Sequence, residues 1–481
     1  MKRIFSFIFL IGLLACETIV EDLNNDPNNP TDASATLLLT SAQLANITIH
    51  EAHVARIGGM WSGYFTGVDR QYADIQVYNV NGSSFSQIWQ NIYYGVFQQA
   101  NLIEAKSIEV NNRLMVGIAK VLKAHAVGAA AAGWGDVPLS EVANDEFDNP
   151  AFDAQTDVYN GLQTLLDEAI LELESEIGSV GVADIYYGGD GGKWLEAAYT
   201  LKARLYIETR EYELAYMAAV DGISSSNNSM TAPHGSTVGA NENTLYTFVA
   251  RSRAGDMNSS NAHITTLLDP NSSSYRGNAK TDETARYNYY FITEENARFT
   301  AGTEPNTYST SVGDSLRGFA SQDQSFPLIT YSENLLTLAE AATRSQGFDA
   351  GLEHLNTYRA YLDGGGYLDP TYQNSDFSYM YEPYSIDDFA AGGIANVDGL
   401  PEEQALLQEI LEERYVTFFG QLLGFNDIRR TRNESIGIKI QPNSGETLPE
   451  RFIYGQEEIN SNTSTPNPVP DIFTPTPINT F

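Results

Sequence analysis

The sequence predicts a mainly α protein in which stacked helix pairs carry a loop-rich half. Three observations lead there. Apolar residues recur at three- and four-residue steps through most of the chain, the spacing of one helix face. Two stretches share a helix-turn-helix layout, with Trp194, Ala197, Ala203, Tyr206, Tyr212 and Ala215 in one and Leu335, Leu338, Ala341, Gly347, Ala350 and Leu355 in the other. Each pair leaves an apolar face that only a neighbouring pair buries, so pairs stack, although no fixed period of about 34 residues is present. Residues 223–329 and 362–400, by contrast, are irregular and rich in Gly, Ser, Asn, Asp and Tyr. Loops of that length are functional or disordered, and their aromatics supply burial that a disordered linker lacks.

From the amino end, Met1-Lys2-Arg3 is basic, and Ile4 to Leu14 is apolar but too short to span a bilayer. Leu13-Leu14-Ala15-Cys16 resembles the lipobox of bacterial lipoproteins. Residues 1–15 then read as a signal peptide cut before Cys16, whose thiol carries a diacylglycerol. A second chain on the new amino terminus makes anchoring stable where one chain is marginal. A plain secretory signal with an incidental cysteine is the alternative. Residues 16–32, including Asn24-Asn25-Asp26-Pro27-Asn28-Asn29-Pro30, favour turns and read as a flexible tether. Residues 33–481 read as a single domain.

Within that domain the first helix is expected from Ala33 to Gly58, stopped by Gly58-Gly59. Others follow from Ser86 to Ala105, Leu114 to Ala132, Val158 to Leu173, Trp194 to Thr209 and Tyr212 to Val220. The last are Tyr331 to Arg344, Asp349 to Tyr361 and Glu402 to Phe419. Alanines in the Leu114 segment suit close helix contact, and Trp134-Gly135-Asp136-Val137-Pro138 breaks the chain after it. Trp89, Trp134 and Trp194 sit in helix motifs and read as structural.

Sixty-two acidic against 27 basic residues leave a formal charge of −35. Such a field repels nucleic acid and disfavours polyanionic glycans. One cysteine excludes an internal disulfide. There is no Gly-x-Ser-x-Gly elbow and no His-Glu-x-x-His. His50-Glu51-Ala52-His53 puts two imidazoles at i, i+3, but without a third ligand they read as surface histidines. Gly188-Gly189-Asp190-Gly191-Gly192-Lys193 has Trp194 where a phosphate loop needs Ser or Thr, so it reads as a loop entering a helix. Asp145, Glu146, Asp148 and Asp153 lack the ligand spacing of a calcium loop. Among 62 acids some pair lies at glycosidase separation by chance. The expectation is a non-enzyme with no cofactor and no metal.

Aromatic residues carry the stronger signal. Gly59 to Tyr72 packs Trp61, Tyr64, Phe65 and Tyr72 among glycines just past a helix end. Rings on a bending loop can stack sugar C–H faces while Asp69 and Arg70 bond hydroxyls. The same residues also fit Trp61 and Phe65 packed inward as core. The platform expectation names Trp61, Tyr64 and Tyr72 with Asp69 and Arg70. Tyr289, in the run Tyr287 to Phe291, is a further ligand candidate, and Tyr379 to Tyr384 is a similar loop.

Several segments then occur in a specific order: Ala15-Cys16 with its Asn-Asp-Pro-Asn tether, Trp89-x-x-x-Tyr93 through Ala100-Asn101, and Gly135-Asp136-Val137-Pro138-Leu139. Next come Trp194 through Ala203-Arg204-Leu205-Tyr206, and Glu333 through Ala339-Glu340-Ala341 with Asn356 and Arg359. Glu412-Glu413-Arg414 through Phe418-Phe419-Gly420, Asp427-Ile428-Arg429-Arg430 and Arg451-Phe452-Ile453-Tyr454 close the series. Together they resemble the SusD/RagB family of outer-membrane nutrient-binding lipoproteins. The resemblance implies tetratricopeptide-like helix pairs packed against a loop-rich, ligand-binding half. It also implies a non-catalytic, lipid-anchored protein at the cell surface, partnered with a SusC-like TonB-dependent transporter. Such a protein acts as a hinged lid that delivers an oligosaccharide, here a neutral one. A peptide-binding lid of a RagAB-like importer and a surface glycosidase are the alternatives.

Overall fold

The structure, a computed structural model, describes residues 33–142, 146–293 and 295–480. The expected signal peptide, Cys16 and the tether lie outside these residues, as does Asp145 of the acidic loop. Helix α1 (Ala35–Glu51) begins at Ser34, whose side chain accepts from the Leu37 amide, and α2 (His53–Trp61) follows across Ala52. The expected stop at Gly58-Gly59 is corrected, because the helix runs on to Trp61. A Cβ on Gly59 would lie 2.6 Å from the Phe65 ring. The glycine therefore lets a ring lie against the helix rather than ending it.

Beyond α3 (Arg70–Gln76), the stretches Ser86–Gln90, Asn91–Phe97 and α4 (Gln98–Glu109) follow without interruption, the middle one π-helical. Then come α5 (Arg113–Trp134), α6 (Gln155–Leu173), α7 (Gly191–Glu208) and α8 (Tyr212–Val220). Asp190 caps α7 by accepting from the Gly192 and Lys193 amides at 3.1 and 3.2 Å, so its glycines are a helix entrance. After α9 (Thr284–Tyr290) the array resumes with α10 (Tyr331–Gln346), α11 (Phe348–Asp363), α12 (Glu402–Thr417) and α13 (Leu422–Thr431).

Helix α5 pairs with α6, α7 with α8, and α10 with α11; α6 packs on α7 and α8 on α10. This is the expected stack of helix pairs. By length and composition α5 could cross a membrane, but it is buried among α4, α6 and α7.

Among the described residues the strands are short: β1 (Thr66–Gly67), β2 (Met230–Ala232), β3 (Met257–Asn258), β4 (Thr281–Asp282), β5 (Phe291–Ile292), β6 (Glu304–Pro305), β7 (Phe326–Ile329) and β8 (Met380–Tyr381). They pair antiparallel and sew the loop-rich half together. The β2–β7 pair closes the base of the first insertion, β4–β8 joins the two insertions, and β1–β3 ties the segment after α2 to the first.

Two features tie the helical elements to one another. Trp61, Phe85, Trp134, Phe425 and Phe452 form one aromatic heart, with the Trp134 and Phe452 rings 5.0 Å apart and Phe425 and Phe452 at 5.2 Å. A buried charge network joins α10, α12 and α13: Arg430 to Glu340 at 2.6 Å, and Arg414 to Asp427 at 2.8 Å. Burial disfavours the Glu340 charge, yet Arg430, Arg344 and Arg414 hold its carboxyl well below the usual range.

Candidate functional site

The expected solvent-facing platform is corrected. Trp61 is 1% exposed, Tyr64 0%, Tyr72 1% and Tyr289 5%. Trp61 donates its Nε1–H to the Ile75 carbonyl at 3.2 Å inside the aromatic heart. Tyr64 donates to the Tyr415 carbonyl at 2.6 Å, its ring 4.7 Å from that of Tyr415. Gly59 instead clears space for the Phe65 ring, and Gly67 for the Tyr72 backbone.

Tyr72 lies beneath a different surface. Its hydroxyl accepts from Arg56 Nε at 3.0 Å and bonds His53 Nδ1 at 2.9 Å. The Arg56 guanidinium sits 4.3 Å over the Phe248 ring and lines an open cleft of about 340 Å³. Asp69 and Arg70 are exposed. Arg70 also pins the loop, ion-pairing with buried Asp256 at 2.5 Å and donating to the Ala254 carbonyl at 3.0 Å. The histidine pair is not on the surface: His50 is buried and stacks on His125, ring centroids 3.6 Å apart, while His53 is half-buried. Among the described residues no three His, Cys, Asp or Glu side chains converge as metal ligands.

The structure gathers a set of rings at the seam between helices and loops. Tyr289 and Tyr290 from α9, Phe319 and Tyr367 from the insertions, and Tyr358 and Tyr361 from α11 line a cleft of about 250 Å³. Arg286, Tyr289 and Tyr290 stand at i, i+3 and i+4, which is one face of α9. Tyr358 and Tyr361 share a face of α11 in the same way. Both are held: Tyr358 bonds Thr417 Oγ1 at 2.8 Å, and Tyr361 donates to the Gly366 carbonyl at 2.5 Å. A Cβ on Gly366 would meet the Tyr361 ring at 2.1 Å, so only glycine lets the turn close over that ring. Tyr361 and Tyr367 are half-buried and Ser325 at the edge is exposed, so the cleft is open to solvent.

Its chemistry is apolar on the ring faces and neutral-polar between them. Burial pushes the Tyr289, Tyr290 and Tyr367 phenols up, so they keep their protons at neutral pH. Thr330, Ser332, Thr417 and Gln324 add hydroxyls and an amide. At the floor, Arg286 bonds Glu413 at 2.8 Å and pairs with Glu283 at 3.1 Å. Burial opposes the Arg286 charge, and Glu283 and Glu413 outweigh that, raising its pKa further. Of these residues the sequence singled out only Tyr289 and its neighbours. Tyr358, Tyr361, Tyr367 and Gln324 come from separate segments that tertiary packing alone unites.

A helical array thus carries, on its loop-bearing side, a ring-lined cleft open to solvent. The chain belongs to the SusD-like family described as "starch-binding associating with outer membrane", whose family model matches residues 27–455. Solved structures share the fold. A SusD/RagB family protein from Bacteroides thetaiotaomicron is 20% identical, with a TM-score of 0.65 over 90% of this chain and 95% of its own. A SusD homologue from Bacteroides uniformis is 17% identical, TM-score 0.64, covering 94% and 100%. A chitin-binding SusD homologue from Flavobacterium johnsoniae is 16% identical, TM-score 0.63, covering 91% and 97%. No curated protein matches the sequence.

Proposed function

We propose that the protein is a cell-surface lipoprotein that captures a neutral oligosaccharide in the tyrosine cleft and passes it to a SusC-like TonB-dependent transporter without catalysing any reaction. The observation that carries the glycan reading is the cleft itself: half-buried Tyr361 and Tyr367 beside buried Tyr289, Tyr290, Tyr358 and Phe319, interleaved with neutral hydroxyls and open at one edge. Sugars offer apolar C–H faces and hydroxyl edges, which is the same mixture in complement. The family description as starch-binding and the chitin-binding relative support this ligand class. Of the residues the sequence singled out, buried Tyr289 lines this cleft, whereas exposed Asp69 and Arg70 do not. Trp61, Tyr64 and Tyr72 serve by holding the scaffold. Cys16 anchors the chain in the outer membrane, residues 16–32 give it reach, and residues 33–481 act as one binding body.

Each stacked ring contributes about 1 kcal/mol beyond area burial. Two or three rings with hydrogen bonds give roughly millimolar to micromolar affinity, which suits cargo that must be released. Calorimetry against starch, chitin and uronate fragments, wild type beside Tyr361→Ala, tests the site. Binding of a neutral fragment, weakened about tenfold or more in the variant, is the expected result. Unchanged affinity removes the cleft from the reading, and a heterogeneous set of co-purified peptides in the mass spectrometer replaces glycan by peptide.

A further inference from the structure

A second cleft, the one of about 340 Å³ beside α2, shares no lining residue with the tyrosine cleft. Arg56 from α2 lines it, with Glu242, Thr247 and Phe248 from the first insertion. The half-buried Arg56 side chain is held in place. Its Nε donates to Tyr72 Oη at 3.0 Å, and its guanidinium lies 4.3 Å over the Phe248 ring, which packs 4.6 Å from that of Tyr72. Tyr72 Oη is tied in turn to His53 Nδ1 at 2.9 Å. Among the described residues no carboxylate pairs with Arg56, and its Nη1 and Nη2 have no hydrogen-bond partner. Neither nitrogen is sealed from solvent. Arg251 and Arg70, by contrast, are matched by Glu242 and Asp256 at 2.9 and 2.5 Å. With Nε engaged, Arg56 keeps its outer edge for an acceptor from outside the protein.

We propose that this cleft binds a small ligand through a single carboxylate, which the Nη1–Nη2 edge of Arg56 takes in a two-bond fork. The site stands apart from the tyrosine cleft and does not depend on the glycan reading.

A planar guanidinium matches a carboxylate with two parallel N–H···O bonds, stronger and more directional than a bond to a neutral hydroxyl. Tyr72 and Phe248 already fix its plane, so little side-chain freedom is lost on binding. Glu242 stands on the same wall but is engaged. Its Oε1 accepts from Gln322 and Arg251 at 2.6 and 2.9 Å, and its Oε2 from the Gly239 amide at 2.9 Å. Burial opposes the Glu242 charge, yet these donors outweigh it and hold the carboxyl below the usual range. His53 adds no second positive charge at neutral pH, because burial, then Arg56, lowers its pKa to about 4. One free fork beside one fixed acid suits one carboxylate and offers a polyanion nothing further. The acidic field of the chain is screened beyond about 8 Å at physiological salt, whereas the fork acts at contact. Thr247, whose hydroxyl has no partner among the described residues, can bond a hydroxyl or amide next to that carboxylate. A sugar acid and the carboxy terminus of a peptide both carry such neighbours.

Calorimetry on the full chain in detergent, at 150 mM sodium chloride, separates the two with matched pairs of probes. One pair is galacturonate and galactose, the other acetyl-trialanine and its carboxy-terminal amide. Wild type is expected to bind at least one acid about tenfold or more tightly than its neutral partner. A difference in the first pair assigns a sugar acid, and in the second a peptide terminus. Arg56→Gln is expected to lose that difference while keeping the wild-type affinity for a neutral oligosaccharide. Arg56→Lys keeps the charge without the fork and is expected to retain only part of the difference. Equal affinities within both pairs overturn the site, as does a folded Arg56→Gln protein that binds the acid like wild type. If Arg56→Gln does not fold, Arg56→Lys decides: undiminished acid affinity overturns the fork, and weakened affinity supports it. A wild type that binds the acid but no neutral oligosaccharide keeps this site and removes the glycan reading instead.

Discussion

His50 shows what a polar residue meets inside this scaffold. Its ring lies flat on His125, 3.6 Å between centroids and 7° from parallel, and His125 Nδ1 bonds the Asn46 amide at 3.2 Å. Burial, helped by the Arg204 charge, lowers the His50 pKa to about 3. Burial, then His50 and Arg204, lowers that of His125 well below its ordinary value. Half-buried His53, beside Arg56, falls to about 4. All three are neutral when folded at neutral pH, and the unfolded chain protonates near 6.5. As pH falls from about 6.5, the unfolded state takes up protons that the native state refuses until about 3 for His50 and 4 for His53. Stability is therefore full above the unfolded value and declines across that window, by at most about 1.4 kcal/mol per pH unit per histidine. The urea midpoint is expected to drop between pH 7 and pH 5, a range above most carboxylate titration, and to drop less in His50→Gln. Equal midpoints at the two pH values would contradict neutral burial of the pair.

At the scale of elements, the helices were legible and their contacts were not. Trp194 to Thr209 and Tyr212 to Val220 were expected, and Gly191–Glu208 and Tyr212–Val220 are found, because periodicity and caps are local properties of the chain. The strand pairs are two to four residues long, too short for an alternating pattern, and they join segments far apart in sequence. The same limit governed the site. Tyr289 stood out in a run of rings, whereas Tyr361, Tyr367 and Gln324 gain meaning only where α9, α11 and the insertions meet. Gly58 and Gly59 carry the lesson in a testable form. Both were expected to end a helix, yet both lie within α2. A Cβ on Gly59 meets the Phe65 ring at 2.6 Å, a contact that forces ring or helix to shift and costs about 1–3 kcal/mol. On Gly58 it meets Leu422 Cδ2 at 3.3 Å and Phe425 Cβ at 3.4 Å, a milder contact, while alanine recovers up to about 1 kcal/mol of helix propensity. Calorimetric melting should place Gly59→Ala clearly below wild type and Gly58→Ala close to it. The reverse order would mean that helix propensity, not the Phe65 contact, decides at this turn.

Across the whole molecule, a formal charge of −35 sets acids against one another over the surface. Added salt acts on two opposing populations of charge. It weakens exposed ion pairs such as Arg113–Glu172, Lys120–Glu168 and Lys202–Asp167, each worth at most about 1 kcal/mol. It also relaxes repulsion among the surplus acids, which reaches across the molecule when the Debye length is about 30 Å at 0.01 M and shrinks as that length falls to about 10 Å at 0.1 M. The buried pairs of Arg430 with Glu340 and Arg286 with Glu413 are shielded from ions and change little. With 62 acidic residues and only 27 basic ones, pairing cannot cancel the surplus, so the repulsive population is the larger. The melting temperature is accordingly expected to rise by several degrees between 10 and 150 mM sodium chloride, most steeply at the dilute end, and to level off once screening is shorter than the spacing between neighbouring acids. Scanning calorimetry at four or five ionic strengths reads this directly. A flat or falling curve would mean that the surplus is already neutralised by bound cations or outweighed by surface pairs, and the field invoked against anionic ligands would lose its basis with it.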